Sequence, residues 1–133
     1  MRVVLDTNVL ISAMIIKEGK PARLLTKLLD GHHVIIVSRP LLEEFSRISA
    51  TKRIRKYVTS ADAAEFLEGL VGASTSVNLF SKIKVFDTSD DLVLATAYDG
   101  KATVIVSGDR ALLEVGRFRG IRIVSVAQML NLV

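Results

Sequence analysis

The chain has no cysteine and no tryptophan, only two prolines in 133 residues, and aromatic side chains at 5%. Without thiols it forms no disulfide and offers no thiolate to a metal, which fits a reducing compartment. Scarce aromatics leave valine, isoleucine, leucine and alanine to fill the interior, the composition of a parallel sheet covered by helices. Long hydrophobic runs are missing too. Stretches such as "VLISAMII" and "VIIV" stop well short of the roughly 20 apolar residues that span a bilayer. No basic leader with a small-residue cleavage site opens the sequence, so a cytoplasmic protein without a membrane partner is expected.

What is present is apolar and basic. Half the residues are hydrophobic and mean hydropathy is +0.40, enough for one compact core and too little chain for two, so residues 1–133 are expected to form one domain. Net charge is +4 with a pI near 9.6. The cations cluster at Lys17, Lys20 and Arg23, along "RISATKRIRK" with Arg47, Lys52, Arg53, Arg55 and Lys56, and in "RFRGIR" at 117–122. Such clusters suit a polyanion, although charge runs are also common on solvated helix faces.

Short β-branched runs alternate with helical patterns. Strands are predicted at 2–5, 33–38, 82–86, 103–107 and 121–125, and helices at 21–31, 40–48, 59–72, 90–100 and 126–133. Strands separated by helices imply right-handed crossovers. The expected fold class is α/β, a three-layer α/β/α sandwich around a mainly parallel five-stranded sheet.

In open sheets of this kind the functional crevice lies at the carboxyl ends of the strands. "VVLDTNVL" sets Asp6 at such an end, and Asp109 follows the fourth predicted strand by two residues. Glu43 and Glu44 lie on the helix after the second strand, and Asp87, Asp90 and Asp91 precede or begin a later helix. Acids gathered from four segments repel one another unless a cation neutralises them. With no Cys, and with His confined to the pair His32 and His33 that follows Asp-Gly in a turn, an all-oxygen donor set favours Mg²⁺ or Mn²⁺ over Zn²⁺. Thr7, Asn8 and Ser107 are auxiliary candidates that would orient ligands or hold water. Each acid also has a structural alternative: Asp6 and Asp109 as helix caps, Asp91 in a capping box with Thr88, and Glu43 and Glu44 as solvent-facing helix residues.

Together "VVLDTNVLISA", "SRPLLEEF", "DTSDDLVLATA" and "VSGDRALL" resemble the PIN domain, specifically its bacterial and archaeal branch akin to VapC-type toxins. That resemblance covers nearly the whole chain. It implies a PIN-like sandwich and a metal-dependent nuclease site of three or four acids. Carried over residue by residue, it matches Asp6 to the first family aspartate and Glu44, in "EF", to the glutamate. Asp91, four residues before the Ala of "LATA", matches the next, with Asp90 auxiliary, and Asp109 in "SGD" the last, beside Ser107. Many relatives read "DPDDDK" and "GDRDLL" where this chain reads "DTSDDL" and "GDRALL", so Ser89 and Ala111 each replace an acid.

The implied activity is endonucleolytic hydrolysis of RNA, with catalytic Asp6, Glu44, Asp91 and Asp109, and Asp6, Asp91 and Asp109 as ligands of Mg²⁺ or Mn²⁺. Lys17, Lys20, Arg23, Arg47, Lys52, Arg53, Arg55 and Lys56 would bind the flanking phosphates. No aromatic stacking platform stands out, and Phe45, Phe66 and Tyr57 are expected to pack inside. An RNA substrate, a homodimer and a cognate antitoxin are the implied partners. Two alternatives are a non-catalytic nucleic-acid or protein-binding module retaining the fold, and a haloacid dehalogenase-type phosphatase, which commonly carries Asp where this chain has Asn8.

Overall fold

A computed structural model describes residues 1–133. β1 (Arg2–Leu5) is followed by α1 (Thr7–Ile15) and α2 (Lys20–Asp30), and β2 (Val34–Ser38) by α3 (Arg39–Ser49), α4 (Lys52–Arg55) and α5 (Ser60–Ala73). A short strand β3 (Thr75–Val77) precedes an irregular stretch and then α6 (Asp90–Asp99). The chain closes with β4 (Val104–Val106), α7 (Arg110–Val115), the hairpin β5 (Arg117–Phe118) and β6 (Ile121–Val124), and α8 (Val126–Leu132). The strands form one sheet in the order β3-β2-β1-β4-β6-β5, parallel throughout except for the antiparallel edge strand β5.

Side-chain alternation along the strands divides the interior in two. Val3 and Leu5 of β1, with Ile35, Val37, Val104, Val106 and Val124, face a core shared with α1, α2, α5 and α8. Val4, Ile36, Ile105, Ile121 and Ile123 point the other way, against α6 and α7. α3 serves both, sending Phe45 to the first core and Leu41 to the second. This is the expected sandwich, built almost wholly from aliphatic residues. The one aromatic contact inside is Phe45 against Phe66, with ring centroids 5.6 Å apart. Tyr57, expected inside, is 66% exposed.

The sheet has six strands where five were expected, and one of the five is absent. Residues 82–86 carry the alternation of a strand, yet form no ladder. Their backbone donors are taken by a side chain: the Val85 and Phe86 N–H groups donate to Asp91 Oδ1 at 3.0 and 2.9 Å, and Asp87 N–H to Asp91 Oδ2 at 2.8 Å. Asp99, at the far end of α6, accepts from the N–H groups of Phe80 and Ser81. Carboxylates thus occupy the backbone donors on either side of Lys82–Lys84, at 80–81 and at 85–87, and Ile83 between them is buried in the second core, which holds the segment off the sheet. The strand that does pair is polar Thr75–Val77, which matches Ile36–Ser38 in parallel register.

Strand order reverses between β1 and β4, whose carboxyl ends therefore flank the crevice of an open α/β sheet. The Asp6 N–H donates to the Val106 carbonyl at 2.9 Å, which ties the two ends together.

Candidate active site

Asp6 is the first residue beyond β1 and is only 4% exposed. It occupies the N-cap position of α1 without capping it. Instead its Oδ2 accepts from the Ser107 hydroxyl at 2.7 Å, and Ser107 Oγ accepts from the Asp109 N–H at 2.9 Å. A buried relay thus runs from the end of β1 to the turn after β4. Burial pushes the Asp6 carboxyl above the ordinary carboxylate range; hydrogen bonds from Ser107 and the Thr7 backbone oppose this, and the charges of Asp109 and Glu44 add to it.

Asp109 caps α7 through Oδ1, which accepts from the Ala111 and Leu112 N–H groups. The capping alternative is therefore true of it, and Oδ2 stays uncommitted. Glu44 sits on α3 with its side chain 11% exposed and its Oε2 3.9 Å from an Arg47 guanidinium nitrogen. Its neighbour Glu43 points outward to Arg39 at 3.1 Å. Of the adjacent pair, Glu44 is the one whose charge acts on Asp6 and Asp90.

For the next adjacent pair the expectation fails. Asp91 spends both oxygens on the 85–87 backbone, and those bonds, working against burial, hold its carboxyl below the ordinary range. Asp90 is the one that faces the other acids. Burial, and then the charges of Asp109, Asp6, Glu44 and Asp91, push it up to about 6. The reason is helical periodicity. The residues three, four and seven positions after Asp90 are Val93, Leu94 and Ala97, all buried, whereas those after Asp91 are Leu94 and Ala95, buried, and Tyr98, 43% exposed, so Asp90 lies on the more deeply covered face. In "DDLVLATAY" both spacings meet apolar residues, so the sequence alone does not choose between the two aspartates. Nor does Thr88 cap Asp91; its hydroxyl accepts from the Asp90 N–H at 3.3 Å.

Among the auxiliary candidates, Asn8 is exposed, whereas Thr7 is buried and its Oγ1 has no hydrogen-bond partner. Carboxylates that burial and mutual repulsion make costly, beside an orphaned hydroxyl and with no thiolate or imidazole, suit a hard divalent cation. As the side chains stand, no three of the carboxylates form a ready-made cage for a metal ion.

The predicted phosphate-binding cations are spread more widely. Lys20 and Arg23 line a polar cleft with Lys27 and Asn131 between α2 and α8. Lys17 edges a separate apolar groove between α1, α2 and α5. Lys52, Arg53 and Lys56 are exposed on and just beyond α4, while Arg55 is half-buried, with Nη1 enclosed and unpartnered.

The model of the PIN domain family matches residues 2–111. The chain belongs to the PIN domain family. This PIN domain is 29% identical over 117 residues to the uncharacterized protein MJ1680 of Methanocaldococcus jannaschii, covering 86% of this chain and 75% of that protein. Its fold is shared with a chain in the crystal structure of VapBC2 from Rickettsia felis bound to a DNA fragment from their promoter. There the TM-score is 0.65 at 15% identity, over 94% of this chain and 98% of that one. No helix of the PIN domain is long and apolar enough to cross a membrane.

Proposed function

We propose that this PIN domain, acting as one unit over residues 1–133, is an endoribonuclease that hydrolyses RNA phosphodiester bonds at Asp6, Glu44, Asp90 and Asp109 with Mg²⁺ or Mn²⁺. The observation that carries this reading is the buried relay at the β1–β4 switch point, where Asp6, 4% exposed, accepts from Ser107 and Ser107 in turn accepts from the Asp109 N–H; the raised carboxyls of Asp6 and Asp90 agree with it. Asp6, Asp90 and Asp109 would hold the ion, with Thr7 beside them. When bound, a divalent cation supplies positive charge to the nonbridging phosphate oxygens and acidifies a water.

The remaining roles belong to the chain. Ser107 keeps Asp6 in one orientation through its 2.7 Å hydrogen bond. The α7 cap fixes Asp109 by Oδ1, so that Oδ2 is the oxygen left to serve the site. Glu44, held beside Arg47, accepts the proton of the attacking water at a carboxylate oxygen. Lys20, Arg23 and Lys27 bind substrate phosphates away from the acids. The family supports nuclease chemistry, and the fold shared with a VapBC2 chain supports a toxin role, with a cognate antitoxin and a second copy of the chain as partners.

The test is cleavage of labelled RNA by purified protein with Mn²⁺, beside single-stranded DNA of the same sequence. Wild type should cut RNA in preference to DNA, and Asp6→Asn and Asp90→Asn should each lose at least about a hundredfold in rate, the scale of one electrostatic catalytic group. Cleavage that survives both substitutions overturns the assignment. Mn²⁺ binding without cleavage favours the non-catalytic alternative, for which the replacement of a family acid by Ala111 is the sequence evidence.

A further inference from the structure

The edge of the sheet opposite the acids carries an unneutralised cationic hairpin. Arg117 and Arg122 are direct cross-strand partners in the β5–β6 pair, and both are exposed. Like charges in that arrangement weaken a hairpin. Neither takes part in an ion pair, since the paired cations are Arg39, Arg47 and Arg110. At the tip, Arg119 and Gly120 both have left-handed backbones, with φ of 48° and 83°. A two-residue turn between paired strands needs that geometry, which suits Asn-Gly and strains an arginine.

The strained arginine is also positioned. Its guanidinium carbon lies 4.8 Å from the Tyr98 ring centroid and 5.0 Å from that of Phe118. Tyr98 itself is 43% exposed. Lys101, exposed and only three residues on, adds a further cation where β4 begins. The fold therefore carries an exposed, repelling arginine pair and, at the turn, an arginine whose strained backbone sets its guanidinium over Tyr98 and Phe118. An anion relieves the first, and a planar ring makes use of the second.

We propose that the β5–β6 hairpin, with Tyr98 and Lys101, is a second anchoring point for single-stranded RNA, remote from the acids. Arg117, Arg122 and Lys101 take phosphates, and an unstacked base lies on the Arg119–Tyr98 surface. A duplex hides its base faces, and an acidic peptide has no use for the stacked arginine and tyrosine, so the combination selects a single strand. β6 spans four residues, which at ~3.3 Å each separates this edge from the acidic one by roughly 13 Å of strand. The identity of the anion as RNA rests on the ribonuclease reading.

The experiment is fluorescence anisotropy of a fluorescein-labelled 30-nucleotide single-stranded RNA titrated with the full chain carrying Asp6→Asn, in EDTA, so that binding is read without cleavage. Adding Arg117→Gln and Arg122→Gln together should weaken binding about tenfold. It should also reduce the slope of log affinity against log salt by about 1.4, the loss of two single-strand phosphate contacts. Tyr98→Leu and Arg119→Asn should each weaken binding severalfold with a smaller change of slope. The Tm of the double arginine variant should stay level or rise, because a like-charge pair is removed. Unchanged affinity and slope in that variant overturn the proposal, as does tighter, arginine-dependent binding of poly-glutamate than of RNA. Hairpin-dependent RNA binding by a protein that cleaves no RNA overturns the nuclease reading alone. Asp6- and Asp90-dependent cleavage with hairpin-indifferent binding overturns only the anchoring point.

Discussion

Asp90 and Asp91 are chemically identical neighbours with opposite tasks, and substitution separates them. Asp90→Asn should abolish Mn²⁺-dependent cleavage while leaving the metal-free protein as stable as wild type or more so, because it removes a carboxylate that burial and neighbouring charges disfavour. Asp91→Asn should behave in reverse. It weakens the acceptor for three backbone donors and should cost about 1–2 kcal/mol by urea denaturation, with any loss of cleavage tracking loss of fold. Asp6→Asn makes the same point more sharply. The metal-free variant should gain on the order of 1 kcal/mol, since the Ser107 hydroxyl can still donate to an amide oxygen while the repulsion from Asp109 and Glu44 disappears. A drop in metal-free stability for both Asp6→Asn and Asp90→Asn would count against a strained acidic pocket. At this scale much was legible: Asp6 and Asp109 follow strand ends and could be picked out singly, while Glu44 was separated from Glu43 only by the resemblance of "EF" to the family motif. The choice between Asp90 and Asp91 needed the burial pattern of the next two helical turns.

Helix α6 works as an element with a carboxylate clamp at each end. Asp91 holds residues 85–87 and Asp99 holds 80–81, so one helix organises the irregular stretch that reads as a strand in sequence. Burial works against the charge on Asp99, but the Ser81 hydroxyl and the Ser81 and Phe80 N–H groups outweigh it and hold the carboxyl below the ordinary range. A carboxyl lowered by folding stabilises in full above its unfolded value, near 3.8, and that contribution is lost as pH falls through the lower folded value. Asp99→Asn should therefore cost about 1–2 kcal/mol at neutral pH, a deficit that narrows on acidification below 3.8, measured by urea denaturation across pH. A deficit independent of pH would mean that the charge contributes nothing. The end of α6 also explains Gly100. A Cβ there would meet Ile36 Cγ2 at 2.4 Å and the Thr96 carbonyl at 2.8 Å, so Gly100→Ala should destabilise by about 1–3 kcal/mol, read as a lowered Tm.

For the whole molecule the governing feature is a basic protein with an acidic crevice. Mn²⁺ that binds only the folded state adds RT ln(1 + [L]/Kd), about 2.7 kcal/mol at a hundred times Kd, which a thermal-shift assay registers as a rise of several degrees. Wild type should show that rise, and Asp6→Asn should not. RNA binding should weaken as salt increases, by a slope that counts the phosphates engaged, because net charge is +4 and the exposed cations of α2, α4 and the β5–β6 hairpin are largely unpaired. Crevice and cations do not conflict. The carboxylates lie at the β1–β4 switch point, and the hairpin cations lie at the opposite edge of the same sheet.

The amino-acid sequence alone determined the class of fold and the sheet edge at which Asp6 and Asp109 emerge. Aliphatic strands alternating with amphipathic helices can bury their surfaces only as a covered parallel sheet, and a polar residue directly after such a strand must emerge at its carboxyl edge. Tertiary structure decided what depends on partners remote in the chain. Residues 82–84 lie between two segments held by carboxylates of α6, 80–81 by Asp99 and 85–87 by Asp91, and whether Arg117, Arg119 and Arg122 form one surface turned on a hairpin of four paired residues packed beside Tyr98. Periodicity reports which face a residue occupies. Only folding reports which other face it meets.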